Sequence, residues 1–477
     1  MPTLRVPLVG SLTSRDDDNT RLYGSSQKDQ YFKNCAFQIV ENSISGKISA
    51  WVMGRNDYQA ANGLSGAPAT GNGTAIRKWR GHASNHLMSA FGSTNSTIYR
   101  DTTSISAITG QCIHMNETAL SGVPNLLMVS GSNRAYYYDT VSGTISEITD
   151  ADFPPNQGTP LTITGNFAVL DGYHFIMCTN GQIWHSDVNS VANWTSTATI
   201  TAQEYPDPGV GLVRYKNMIV ACSKSSIEFF VNGGNAAGAV LNRVQHMASR
   251  IGVLNQHCIL EYGDSFIVVG VIDGVYGVFM FNGSRFDKIS TEEIDWAIAF
   301  AGPVDLPRIN LFSSWGKTYL GLQFGDNATS ILMYDFDGHW GVWGLTNAVC
   351  KTDVFDRNYH IGSTVGYPLH NSTTIVSGEI QTARIDMDTT NRKTLNRLRV
   401  VGDKTTDALS VSVSWTDDDY QTYSTARTVN MSEVNPQLRR CGTFRRRSFK
   451  ITGIGQSASG RPARLEALEL DYTGSVL

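Results

Sequence analysis

One unit recurs along this chain: an alternating apolar strand, a turn carrying Gly or Asn, and a further strand tipped by an aromatic or large apolar side chain. The clearest copy is FAVLDGYHFIMCTNGQIWHSD. Related copies are NSTIYRDTTSISAI, NLLMVSGSNRAYYYDTVSGTI, MIVACSKSSIEFFVNGG, SFIVVGVIDGVYGVFMFNGSRFDKIS and TYLGLQFGDNATSILMYDFDGHWGVW. Anchored on Tyr99, Tyr137, Trp184, Phe229, Met280 and Tyr334, the steps between copies are 38, 47, 45, 51 and 54 residues. That period fits the roughly 40 to 50 residues of a four-stranded propeller blade. A lone sheet of this kind cannot bury both faces, whereas sheets stacked radially cover one another and expose only short edges. Period-2 alternation with β-branched and aromatic enrichment favours strands, and no stretch sustains a 3.6-residue period. A seventh, weaker copy is read in YHIGSTVGYPLHNSTTIVSGEI. The expected fold is therefore all-β: a β-propeller of six or seven blades over residues 76–382.

The two ends differ from this body. Residues 1–75 hold the strand candidates CAFQIV and KISAWVMG, followed by the loop-like AANGLSGAPATGNGTA. Residues 383–477 hold RKTLNRLRVVGD, DALSVSVSWTDDD, RRRSFKITGIG and ARLEALELDY, read as strands of a sandwich. The expectation is an additional β-sandwich-like platform domain formed by the chain ends. Charge gathers there: residues 385–477 carry 14 Lys+Arg and 11 Asp+Glu, a local +3 (14 − 11) in a chain of net −4. With that overall charge, attraction to nucleic acid or anionic membrane must come from local patches.

Several chemistries find no support. The amino terminus lacks the apolar core of a signal peptide and no apolar run is long enough for a membrane span, so a cytoplasmic folding environment is expected. The seven cysteines, Cys35, Cys112, Cys178, Cys222, Cys258, Cys350 and Cys441, are scattered without a CxxC pair and read as reduced, mostly buried thiols. His114, His174, His185, His257 and His360 never fall at metal-ligand spacing, so neither metal nor cofactor is expected. SSWGKT ends like a phosphate loop but has Leu311 where the first glycine belongs, and GLSGAP breaks the spacing of a nucleophile elbow. No catalytic residue is expected.

Two charged features remain. In WTDDDYQTYS, the carboxylates Asp417, Asp418 and Asp419 resemble the Asp-box turn, with Thr416 for its Ser, Tyr420 for its Gly and Tyr423 for its Trp. Neighbouring residues at a hairpin tip point in alternating directions, so a structural turn is favoured over a glycosidase acid and base pair. A carbohydrate-binding propeller is the alternative that this turn suggests. Downstream, LRRCGTFRRRSFK carries Arg439, Arg440, Arg445, Arg446, Arg447 and Lys450. Guanidinium clusters of this kind face phosphates or carboxylates, or pair with nearby aspartates.

The landmarks ISEITDADFP, FAVLDGYHFIMCTNGQIWHSDV, TAQEYPDPGVGLVRYKNMIVACSKSSIEFFVNGG, RIGVLNQHCILEYGDSFIVVG and GVFMFNGSRFDKISTEEIDWAI occur in order. Together with SWTDDDYQTYSTAR and RRCGTFRRRSFKI, they make residues 140–472 similar to the tail accessory, packaged-DNA-stabilising proteins of short-tailed phages. The resemblance implies a non-enzymatic virion component: a tail nozzle ring, typically of six copies, docked below the portal and its ring of adaptor proteins. It also implies closure of the exit channel after packaging and attachment of a distal plug, needle, fibre or spike. The partners it implies are other copies of the chain, the adaptor, these distal tail proteins, and double-stranded DNA passing without sequence recognition. Assembly is expected in the host cytoplasm, with Arg439, Arg440 and Arg445 to Arg447 meeting acidic adaptor segments.

Overall fold

Tight Asp-Gly turns join alternating strands into up-and-down antiparallel sheets. Asp171 and Gly172, at φ 51° and 81°, connect Ile163–Leu170 to Tyr173–Cys178, and Asp273 and Gly274, at 48° and 84°, connect Ser265–Ile272 to Val275–Phe281. Positive φ at both central residues gives the turn a twist matching its flanking strands. The computed structural model describes residues 2–10, 30–41, 48–55, 59–60, 73–79, 86–92, 94–101, 103–120, 123–140, 142–235, 238–301, 306–314, 316–325, 330–344, 349–352, 360–362, 368–369, 375–404, 409–456 and 462–474.

Among the described residues, six such sheets follow one another in a β-propeller. Their first strands are Gly73–Trp79, Cys112–Leu120, Ile163–Leu170, Gly209–Tyr215, Ile259–Tyr262 and Pro307–Ser314, each lying beside the next. Every one of the six sequence anchors falls on the third strand of its sheet: Ser96–Arg100, Arg134–Asp139, Gln182–Ser186, Ile227–Asn232, Val275–Phe281 and Ser330–Tyr334. The repeat read from the sequence is thus a structural register. Apolar side chains fill the space between sheets, as where Leu127 and Val129 meet Phe167, Ile176 and Trp184. Between the sixth sheet and the first, the backbone hairpin Val349–Thr352 and His360–Gly362 lies beside Gly73–Trp79. Half of the weak seventh copy lies outside the described residues, as do residues 61–72 of the loop-like stretch; the copy's described strand Pro368–Leu369 pairs with Gln59–Ala60.

The chain ends combine into a two-layer sandwich. One layer contains Cys35–Glu41, Ile48–Gly54, Leu465–Gly474, Lys393–Gly402 and Gln437–Arg439, with Thr3–Pro7 paired to Leu465–Gly474. The other contains Gly378–Gln381, Ser448–Ile454, Ser410–Thr416 and Arg427–Asn430. Phe37, Val52, Leu398, Val411, Phe449, Ile451 and Leu468 belong to the core between them. Gly378–Gln381 lies on the propeller side of the boundary expected near residue 382, yet it hydrogen-bonds within the sandwich.

Propeller and sandwich share a sheet. The short strand Tyr31–Lys33 pairs in parallel with Trp340–Gly344, the last strand of the sixth blade, and antiparallel with Gly378–Gln381. Asn34, in the left-handed region at φ 55°, turns the chain out of this strand; its amide donates to Val342 O at 2.7 Å and its side chain accepts from Gly344 N at 2.8 Å. Trp343 Nε1 donates to Cys35 O at 2.9 Å, and the buried Arg55 guanidinium sits 5.4 Å from the Trp343 ring centroid. Ala36 and Met53 from the sandwich join Phe312, Tyr319, Ile331, Met333 and Trp343 from the sixth blade in one apolar cluster. Because this cluster unites the two modules, Trp343→Ala should cost about 3 to 5 kcal/mol, the range for truncating a buried large aromatic. Urea denaturation should then show two transitions where the parent shows one; an unchanged single transition would contradict the shared core.

Candidate functional site

Strand Ser410–Thr416 delivers Trp415 and Thr416 to the start of the aspartate turn. Thr416 Oγ1 accepts from Tyr420 N at 3.2 Å and donates to Asp418 Oδ1 at 2.7 Å. Asp418 also accepts from Thr422 N at 2.9 Å and from the Thr422 hydroxyl. These bonds, led by that hydroxyl, hold the Asp418 carboxyl down to about 2. Asp419 and Tyr420 are both left-handed, at φ 58° and 71°, the conformation that glycine ordinarily supplies in such turns. Tyr420 is buried, so packing holds the unfavourable backbone in place.

The aspartates face the arginine segment. Asp417 receives Arg447 Nε and Nη2, both at 2.7 Å, in a two-pronged pair. The Arg447 side chain is 1% exposed, lies 4.5 Å from the Phe444 ring and 5.1 Å from the Trp415 ring, and donates to Cys441 O. Asp419 meets Arg384 at 3.3 Å and Arg446 at 3.2 Å. Lys450 is half-buried, paired with Glu379 at 2.8 Å and set over the Tyr423 ring. Arg439, Arg440, Arg445 and Arg446 are exposed, with Arg445 Nη1 also donating to Thr390 O at 3.1 Å.

Two expectations from the sequence change here. RRRSFKITGIG is not one strand: Thr443–Phe444 pairs with Lys393–Gly402 of the first layer, Ser448–Ile454 belongs to the second, and Arg445 to Arg447 cross between them. The crossing turns Arg447 inward, where it braces the sandwich through Asp417. Arg384, Glu379, Gln381 and Thr382 also support the site: Tyr423 Oη donates to Gln381, and Ser448 Oγ donates to Thr382 O at 2.6 Å. Sequence reasoning missed these four residues because they stand roughly thirty to seventy positions away, in a stretch with no charge run of its own.

Among the described residues no group of three His, Cys, Asp or Glu side chains is placed to hold a metal ion. The six described cysteines are buried free thiols, and burial raises Cys178 to about 12; the Cys350 side chain lies outside the described residues. Among the described residues no helix is long and apolar enough to cross a membrane.

Residues 81–314 match the phage stabilisation family, described as bacteriophage P22 Gp10, beta-propeller. Over those residues the chain is similar to this family. The match runs from the second strand of the first blade to the first strand of the sixth, and it identifies a tail-associated, DNA-stabilising structural protein of short-tailed phages. No curated protein matches the sequence. Among solved structures the chain is similar to BBS1N in complex with ARL6DN, at 11% identity and TM-score 0.45 over 66% of this chain and 97% of that one. It is also similar to the computationally designed Ika8 protein, at 10% and 0.37 over 66% and 99%. BamB from Moraxella catarrhalis follows at 10% and 0.38 over 76% and 94%.

Two outcomes follow for this charged site. Asp417→Ala strands the buried Arg447 cation and should cost about 3 kcal/mol, the lower end for a broken buried pair because Asp417 itself is partly in water. Arg446→Ala, at an exposed pair, should cost less than about 1 kcal/mol; equal losses by urea titration would contradict the assignment. The folded Asp418 carboxyl ionises more readily than an unfolded one near 4. Its contribution is therefore complete above pH 4 and disappears as pH falls towards 2. Asp418→Asn should flatten that part of the stability profile, and an unchanged acid limb would contradict the turn's hydrogen bonding.

Proposed function

We propose that this chain is the repeating subunit of a tail nozzle ring, docked below the portal and its adaptor, which retains packaged DNA by closing the exit channel. The family match to a phage stabilisation protein carries this reading. Physical support comes from the propeller axis. Among the described residues, side chains from the first strands of six sheets crowd it, around a cavity of about 50 Å³. A DNA duplex, whose major groove alone is about 12 Å wide, cannot pass such an axis. Retention of DNA by this fold therefore calls for several copies around a common channel, and closed cyclic symmetry is the usual arrangement of identical subunits. Six copies, attachment of plug, needle, fibre or spike, and assembly in the host cytoplasm are parts of the same proposal. The role is structural, with no catalytic step, and DNA passes without base recognition because the channel must accept any sequence.

The sandwich is the proposed adaptor-facing platform, with exposed Arg439, Arg440, Arg445 and Arg446 meeting carboxylates. Reversing these four charges to Glu, with Arg447 left in place, should abolish docking onto adaptor-bearing heads while circular dichroism and the unfolding midpoint stay near those of the parent; undiminished docking would sink the platform assignment. The carbohydrate-binding alternative gains nothing from the aspartate turn, whose carboxylates are engaged by the protein's own side chains. For the ring itself, negative-stain microscopy of DNA-filled heads lacking this protein should show rings at the portal vertex and arrested leakage once it is added. A protein that never touches the vertex would overturn the proposal.

A further inference from the structure

The connection from the fifth blade to the sixth carries an α-helix, Glu292–Ala301. Its Ile294, Ala297 and Ile298 are buried in the propeller core, and the helix packs against the strand Val275–Phe281. Trp296 and Phe300, one turn apart, stack with ring centroids 5.0 Å apart and planes 8° from parallel. Phe300 is 61% exposed, Val275 at the start of the neighbouring strand 56%, and Leu306 just beyond the helix 54%. Among the described residues six large apolar side chains are exposed, and three of them belong to this stretch. In an up-and-down blade the turn from second strand to third lies at the same end as the connection leaving the fourth. Val275 follows such a turn, and Phe300 and Leu306 belong to such a connection, so all three stand at one end of the propeller. Single exposed apolar residues are ordinary, but a gathering of them around stacked aromatics marks a contact surface.

Charge surrounds this patch unevenly. Arg250, in the connection from the fourth blade to the fifth, donates Nε to Tyr205 Oη at 2.6 Å, lies 5.2 Å from that ring and is drawn by the carboxylate of Asp273, two residues before Val275. Lys288 pairs with Asp295 of the helix at 2.5 Å. Across the connections and turns at this end, Lys224, Arg250 and Lys288 stand against Glu204, Asp207, Asp273, Glu292 and Asp295, so the surroundings of the apolar patch are acidic. The sandwich does not cover it. The fifth blade meets one face of the sixth sheet through Leu311, Leu320 and Leu332, whereas Ala36 and Met53 of the sandwich meet the other face.

We infer that this end of the fifth blade docks a partner protein through an apolar segment flanked by lysine or arginine. Apolar side chains of that segment cover Val275, Phe300 and Leu306, and its cations answer Glu204 and Glu292. The stack on Trp296 holds Phe300 in place before contact, so little side-chain freedom is lost on docking. An anionic bilayer, by contrast, is repelled by the same carboxylates. This surface is independent of the nozzle reading, because it needs only the folded chain.

Two short labelled amphipathic peptides, one of Leu and Lys and one of Leu and Glu, titrated with the full chain and followed by fluorescence anisotropy, test it. Saturable binding of one Leu and Lys peptide per chain is expected, weakening as salt rises, with the Leu and Glu peptide held about tenfold or more less tightly. Phe300→Ser combined with Val275→Ser should weaken the Leu and Lys peptide about tenfold or more, the loss expected when an aromatic anchor is removed. Both side chains are exposed, so the melting temperature should stay near that of the parent. Glu204→Lys combined with Glu292→Lys should erase the preference between the peptides. Absence of saturable binding by the parent, or undiminished binding by the serine variant, would overturn the inference. So would self-association of the parent in sedimentation velocity that the serine variant abolishes, which would assign the surface to a second copy, or flotation with phosphatidylglycerol vesicles that the same variant abolishes, which would assign it to a membrane.

Discussion

The structure depends on a three-residue strand. Tyr31–Lys33 fills the gap between the last strand of the sixth blade and the first strand of the sandwich sheet, so backbone hydrogen bonds run without interruption from propeller to platform. Edge strands of two separate domains would each present unpaired N–H and C=O groups, whereas here each edge is satisfied by the same segment. Asn34 then turns the chain, Trp343 and Arg55 cover the turn, and a shared apolar cluster forms beneath it. Interfaces between domains are ordinarily modest and polar, which permits relative motion. This one is a continuous sheet over a common core, and it makes the two modules a single lever.

That stiffness suits a structural subunit of a tail-associated phage protein. Each blade buries its faces against its neighbours. The sandwich holds its charged turn with equal economy of parts: Arg447, stacked between Phe444 and Trp415, anchors Asp417, and Asp418 closes the turn through Thr416 and Thr422. The exposed arginines around this braced centre are then presented from a fixed frame.

Much of this was legible in the sequence because it depends on local periodicity. The six anchors from Tyr99 to Tyr334 all mark third strands, since each blade repeats the same order of buried and turn residues. The joint was not legible, for Tyr31–Lys33 is too short to carry a pattern and its partners lie over three hundred residues away. Arg447 looked identical to Arg445 and Arg446 in the sequence; only the crossing between layers, which places Trp415 and Phe444 on either side of it, separates a structural arginine from its exposed neighbours. The exposed patch on the fifth blade was hidden for a related reason. Val275, Trp296 and Phe300 stand in apolar stretches like any core residue, and only the packing of the helix on its strand shows which side chains face outward.

The most direct test of this account is native-state hydrogen exchange across the joint, read peptide by peptide by mass spectrometry. Amides of Tyr31–Lys33 should exchange only through the global unfolding that also exposes the cores of the sixth blade and the sandwich, with the same dependence on denaturant. Exchange of this strand through a separate, low-energy opening, while both neighbouring sheets stay protected, would contradict the claim that one sheet holds the two modules together.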